Sequence, residues 1–156
     1  MQLVIDEDQA EANSRLTAIR LAGLVTRCME LWRLGRLDGE TVLIITAVIS
    51  ITSEKFTRSG LPARYRSLEE YLPLEQLQGC NVASIAAATG LNRETTRRRV
   101  EALVRGGSLI RRDSGDIALP PAEVATGAAL ELVRKQLEAV VRFVNDSVRD
   151  GVISIR

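Results

Sequence analysis

The stretch from Asn81 to Leu119 constrains the fold more than any other, because it carries two helix signals in close succession and then two short apolar runs around a turn. Asn81 can accept hydrogen bonds from the free amides at a helix start, and Val82, Ile85 and Ala86 fall on one face of a helix running from Asn81 to Thr89. Gly90 ends that helix, since glycine adopts the left-handed backbone that a helix C-terminus needs, and Leu91 can plug the angle between two helices. Asn92 caps the next one. From Arg93 to Arg105, at about 100° per residue, Thr96, Val100, Leu103 and Val104 cluster on one side. Arg93, Glu94, Arg97, Arg98, Glu101 and Arg105 spread across the other, so one face packs and the other is charged.

The hairpin follows. Ser108-Leu-Ile-Arg-Arg and Ile117-Ala-Leu bracket Asp113-Ser-Gly-Asp, with Gly115 at the tip of the turn. Helix, tight turn, arginine-rich helix and hairpin is the order of a winged helix-turn-helix. Between Asn92 and Arg112 stand seven arginines (93, 97, 98, 99, 105, 111 and 112) and two glutamates (94 and 101), a balance of +5. The whole chain carries only +1, which leaves −4 for the other 135 residues. Such a local excess on a nearly neutral protein is the footprint of a site for a polyanion, because each neutralised phosphate releases condensed counterions. An ordinary solvated helix face carries charges more evenly mixed in sign.

The run Ser84-Ile-Ala-Ala-Ala-Thr-Gly-Leu-Asn-Arg-Glu-Thr-Thr-Arg-Arg-Arg-Val-Glu-Ala-Leu103 resembles the helix-turn-helix of bacterial winged-helix transcription regulators. Ala86 four residues before Gly90, the Arg-Glu-Thr run at Arg93 to Thr95, and Val100 with Leu103 carry the likeness. Arg-Glu-Thr followed by Arg98 is similar to the recognition helix of the catabolite activator family, although nothing upstream resembles that family's cyclic-nucleotide domain. Helices on both sides of the unit look more like the MarR-type layout. The resemblance covers about a quarter of the chain. It implies that Asn92, Arg93, Glu94, Arg97 and Arg98 meet base edges in the major groove and that Arg105, Arg111 and Arg112 hold phosphates. Thr96 and Arg99 depart from the pattern, standing where such regulators usually carry aliphatic residues. Thr96 can pack through its methyl group, whereas Arg99 must snorkel, pair with a carboxylate or reach a phosphate.

At 156 residues and 46% hydrophobic content the chain can bury a substantial core. Aromatics are scarce, and none of Trp32, Phe56, Tyr65, Tyr71 and Phe143 lies on the basic helix, which favours a duplex over single strands that need stacking partners. Cys28 and Cys80 have no metal or redox spacing, and with no histidine a zinc site lacks its usual ligands. Neither a cofactor nor a metal site is expected, and the thiols read as reduced and partly buried. Met1-Gln-Leu-Val-Ile runs into Asp6-Glu-Asp rather than a longer apolar stretch, so no signal peptide is expected and the location reads as cytoplasmic.

Apolar residues Leu16, Ile19, Leu24, Val25, Cys28, Met29, Trp32 and Leu34 recur at helical spacing, predicting one long amphipathic helix from about Ala10 to Arg36 with nothing before Gly35 to break it. Thr41 to Ser53 has no charge and many β-branched residues. Its length, with Asp38 and Glu40 at its start, nonetheless predicts a central helix covered on every side, too short to span a membrane. Arg58 to Arg66 reads as a loop whose arginines are mainly solvated. Ser67-Leu-Glu-Glu70 has capping-box spacing and predicts a short helix up to Leu72, before Pro73.

After Pro120-Pro121 a helix is expected from about Ala122 to Arg149. Leu130, Val133, Leu137, Val140 and Val144 form a heptad seam that Val141 and Val148 widen, suited to a second copy of the chain or to the first long helix. These readings give a mainly α protein, a three-helix core with a short hairpin wing between long terminal helices. The expected divisions are an arm and core helix over 1–57, a DNA-binding unit over 58–120 and a dimerising helix over 121–156. The expected function is a homodimeric, sequence-specific regulator of transcription that binds double-stranded DNA. The alternative is a winged-helix module for protein interaction or assembly. An enzyme is not expected, for want of histidine, a phosphate-cradling glycine loop or a nucleophile motif. Trp32, Tyr65 and Tyr71 can line a pocket for a small-molecule effector, and core packing explains them equally well.

Overall fold

The computed structural model describes residues 2–33, 36–124 and 126–156, and the chain in it is mainly helical with two small antiparallel sheets. In chain order the elements are β1 (Leu3–Ile5), α1 (Glu7–Ala12), α2 (Ser14–Arg33), α3 (Gly39–Ser59), α4 (Val82–Thr89), α5 (Arg93–Arg105), β2 (Ile110–Arg111), β3 (Ile117–Ala118), α6 (Pro121–Val124), α7 (Gly127–Arg149) and β4 (Ile153–Ile155). They fall into two compact units, residues 1–36 with 131–156, and residues 37–130. Divisions drawn on composition after residues 57 and 120 separate α3 from the helices that follow it, whereas packing groups α3 with them.

In the unit of residues 37–130, α3 forms despite its β-branched composition because Asp38 starts it and burial holds it. The Asp38 side chain accepts from the Thr41 amide at 2.9 Å, and Val42, Ile44, Ile45, Ala47, Val48 and Thr52 are buried. Tertiary packing here outweighs the intrinsic strand preference of valine and isoleucine. The expected cover on every side is not what forms, for Leu43, Ile49 and Ser50 lie exposed along one flank. Ile44, Ala47 and Val48 meet Cys80, Ile85 from α4, Val100 from α5, and Leu109 and Ile117 beside the hairpin in one buried cluster. The Ile117 amide donates to the Cys80 carbonyl at 2.7 Å, tying the hairpin to the segment before α4. Burial pushes the Cys80 thiol above its ordinary value, so it stays protonated and packs as a small apolar group.

The expected helix from Ser67 to Leu72 is absent. The Ser67 hydroxyl accepts from the Glu69 amide, but this contact makes only a turn, because Pro73 follows too soon for a helical nucleus to propagate. Two 3-10 turns, Ala63–Tyr65 and Leu74–Gln76, flank it.

In the unit of residues 1–36 with 131–156, the first helix is not continuous. Asp6 accepts from the Gln9 amide and starts α1 earlier than the apolar periodicity suggests, and a turn at Asn13 separates α1 from α2. The expected stop at Gly35, and Leu34 on the apolar face, lie outside the described residues. The expected last helix, whose residues up to Leu130 belong to the other unit, is also in two pieces. The Thr126 hydroxyl accepts from the Ala129 amide and starts α7 afresh, and Ala125 before it lies outside the described residues.

Arg20 of α2 reaches Asp146 at 2.7 Å and Asp150 at 2.8 Å, so the face of α7 that carries Leu132, Ala139, Phe143, Asp146 and Asp150 turns toward α2. Leu24, Cys28 and Leu31, half-buried, share the face of Arg20. β1 and β4, from opposite ends of the chain, pair antiparallel with Leu3 opposite Ile155 and Ile5 opposite Ile153. Among the described residues of this unit only Ala139, Ser147 and Val152 are buried, while twelve large aliphatic side chains stand exposed. No helix among the described residues is long and apolar enough to cross a membrane.

Candidate nucleic-acid interface

Local chemistry builds the helix pair at the centre of the candidate site. Asn81 and Ser84 exchange side-chain and backbone hydrogen bonds at the start of α4, each at 3.0 Å. Gly90 ends α4 at φ +71°, in the left-handed region, and half-buried Leu91 packs against the core. The Asn92 side-chain oxygen then accepts from the Glu94 amide at 2.9 Å and, more weakly, from the Thr95 amide at 3.5 Å. Asn92 thereby spends its acceptor on the helix it starts. Thr96 is fully buried, its hydroxyl donating to the Asn92 carbonyl at 3.0 Å, which lets a polar residue occupy an aliphatic position.

The five arginines of α5 separate into three groups. Arg93, Arg98 and Arg105 are exposed, and among the described residues none of them makes an ion pair or a side-chain hydrogen bond. Arg97 lies between two carboxylates of its own helix. Its Nε and Nη2 donate to Glu94 at 3.0 and 2.5 Å, and its Nη1 donates to Glu101 at 3.0 Å. The hydrogen bonds from Arg97 hold the Glu94 carboxyl below its ordinary range, and Glu94, then Glu101, push the Arg97 guanidinium further up. Carboxylates three residues before and four after an arginine are neighbours on any helix, so this arrangement is written in the sequence, although base contact alone was assigned to Arg97 there.

Arg99 forms the third group and has a defined place. Its Nη1 reaches Asp38 at 2.7 Å and its Nη2 reaches Glu40 at 2.6 Å, fastening α5 to the start of α3. One oxygen of Asp38 caps α3 while the other accepts from Arg99. The Thr41 amide first, and Arg99 second, hold the Asp38 carboxyl below its ordinary value. Partners sixty-one residues apart in sequence leave no local signal for this contact.

On the hairpin, Gly115 takes φ +88°, and Ile110 pairs with Ala118 and Arg111 with Ile117. Alternation sends the two arginines opposite ways. Exposed Arg111 donates to the Gly115 carbonyl at 3.1 Å, whereas half-buried Arg112 turns back toward the Leu77 carbonyl at 3.4 Å. Of the residues expected to hold phosphate, Arg105 and Arg111 are thus open to solvent and Arg112 is not fully so.

Asp38 supports a stability prediction. A carboxyl with a depressed folded pKa contributes stability above its unfolded value and loses it as pH falls through the folded value. Asp38→Asn keeps a cap but cannot titrate, so its melting temperature should fall less steeply than the wild type's on acidification below the ordinary carboxylate range. Asp38→Ala should lose about 1 kcal/mol at neutral pH with the cap. Thermal melts across an acid pH series measure both, and parallel curves for wild type and Asp38→Asn would remove Asp38 as a source of acid sensitivity.

Set against family models, curated proteins and solved structures, the chain matches none. The functional reading therefore rests on this chain's own geometry and charge.

Proposed function

We propose that residues 37–130 form a winged helix-turn-helix and that the protein is a homodimeric, sequence-specific regulator of transcription that binds double-stranded DNA. The observation that carries this reading is that Arg93, Arg98 and Arg105 of α5 are exposed and in no ion pair among the described residues, on a helix set by a three-residue turn after α4 and followed by a hairpin bearing exposed Arg111. A helix so placed enters the major groove from its N-terminal end, where an arginine grips guanine through two hydrogen bonds. Arg93 and Arg98 are the donors immediately available for that. Asn92, Glu94 and Arg97 reach base edges only by exchanging the partners they already hold. Arg105 and Arg111 hold phosphates and fix register, with Arg112 a lesser contributor.

The dimer is supported by what the unit of residues 1–36 with 131–156 leaves uncovered. Within this unit helix α7 has one face toward α2 and a second, carrying Val133, Leu137, Val140, Val141 and Val148, that is exposed. On β1 and β4, exposed Leu3, Ile5 and Ile155 share one face of a ribbon that is too small to be stable uncovered. A second copy covers such a surface by two-fold symmetry, and a two-fold protein reads two half-sites.

Selection of bound sequences from a random duplex pool tests the reading. An enriched palindrome supports both sequence reading and dimer symmetry. A pool without enrichment, from a protein with no duplex affinity, overturns it and favours the interaction-module alternative. Binding should also weaken steeply with salt, with a slope on the order of −4 in log–log form if Arg105 and Arg111 of two subunits each neutralise one phosphate. Fluorescence titration over a salt series reads that slope, and a flat response would remove the phosphate contacts.

A further inference from the structure

Arg97 sits in the middle of the exposed face of α5, yet all three of its guanidinium nitrogens are already engaged, two by Glu94 and one by Glu101. The three side chains together carry −1. Arg93, Arg98 and Arg105 beside them carry +3 with no ion pair among the described residues. We propose that Glu94 and Glu101 withhold Arg97 from the phosphate backbone, so that these two carboxylates set the specificity of α5 by suppressing its attachment to unrelated sequence. The inference rests on the DNA-binding reading above and names a control on the same site.

The physical basis is a competition between anions for one guanidinium. A backbone phosphate can also take arginine through two oxygens, but to do so here it must displace a carboxylate that holds Arg97 through two parallel hydrogen bonds and must bring its own negative charge up to Glu94 and Glu101. A guanine edge offers two acceptors in the same fork arrangement and carries no net charge for the two carboxylates to repel, so it can replace Glu94 where phosphate is turned away. Glu94 and Glu101 also repel phosphate wherever no base edge releases Arg97. Unrelated duplex therefore meets Arg93, Arg98 and Arg105, while the matched site gains Arg97 as well. Surface ion pairs are individually weak, which is what makes the exchange possible at the correct site.

The test is a thermodynamic cycle on exposed residues. Four full-length proteins are compared, the wild type, Glu94→Gln/Glu101→Gln, Arg97→Ala, and the triple variant, each titrated with the selected duplex and with a scrambled duplex of equal length. The double glutamine variant should bind scrambled duplex on the order of tenfold more tightly at low salt, and its salt slope should steepen by about two units per dimer as two arginines become free. Preference for the selected duplex should fall accordingly. In the Arg97→Ala background the same glutamine changes should give a clearly smaller gain, because only relief of repulsion remains. Equal gains with and without Arg97 would overturn the inference while leaving DNA binding intact. A wild type that binds neither duplex would overturn the DNA-binding reading, and the inference with it. Circular dichroism of all four proteins confirms that helix content is kept.

Discussion

Leu137→Glu should convert the protein from a dimer to a monomer. Leu137 is 60% exposed at the centre of the outward face of α7, with Val133, Val140, Val141 and Val148 exposed around it. Two-fold pairing through that face places each residue twice in the interface, so one substitution introduces two charges. A charge buried without a partner costs about 3–5 kcal/mol, enough to move a micromolar dimer beyond reach. Arg149→Gln, exposed near the end of the same helix and outside that face, should leave the mass unchanged. Light scattering at micromolar concentration distinguishes these outcomes, and a wild type that is already monomeric there would remove the dimer altogether. Because a monomer engages one half-site, Leu137→Glu should also lose most of its affinity for a palindrome while keeping base preference at a single half-site.

What could be read from the sequence was the part governed by neighbours. Asn81, Gly90 and Asn92 act on amides and carbonyls within four residues, so the boundaries of α4 and α5 follow from their identities alone. Gly115 marks the hairpin for the same reason, and Asp38 marks the start of α3, whose β-branched composition burial outweighs. The features that escaped are set by distance or by competition. Strands β1 and β4 are three residues each and pair from opposite ends of the chain, beyond any local periodicity. The breaks at Asn13 and Thr126 interrupt helices whose apolar spacing continues across them, since periodicity reports which face is apolar and not whether the backbone is continuous. At Ser67 a capping signal was present but the nearby proline prevailed. In the candidate site, the charge balance from Asn92 to Arg112 counts Arg97 as free although Glu94 and Glu101 hold it, and of the three roles the sequence left open for Arg99 the structure shows the pairing with carboxylates.

The remaining prediction separates reading of bases from holding of phosphates. Arg98 lies on the exposed face of α5 within two turns of its capped start and is unpaired among the described residues, whereas Arg111 lies on the hairpin, donating to Gly115. A side chain at a base edge contributes only where the base matches, and one at a phosphate contributes on any sequence. Arg98→Ala should therefore cost about 1–3 kcal/mol on the selected duplex, leave scrambled duplex weakened far less, and relax preference at one position of each half-site. Arg97→Ala should also erode preference, toward the low end of that range, because Arg97 gives up contacts with Glu94 and Glu101 to reach a base. Arg111→Ala should weaken both duplexes by similar factors and reduce the magnitude of the salt slope by about one unit per subunit. Arg112→Ala should do less, its guanidinium being turned toward Leu77. Competition titrations of each variant with both duplexes, repeated at two salt concentrations, measure preference and slope together. An Arg98→Ala protein that keeps its full preference for the selected duplex would show that this arginine is not a reader, and a sequence-selective loss in Arg111→Ala would move base recognition to the hairpin.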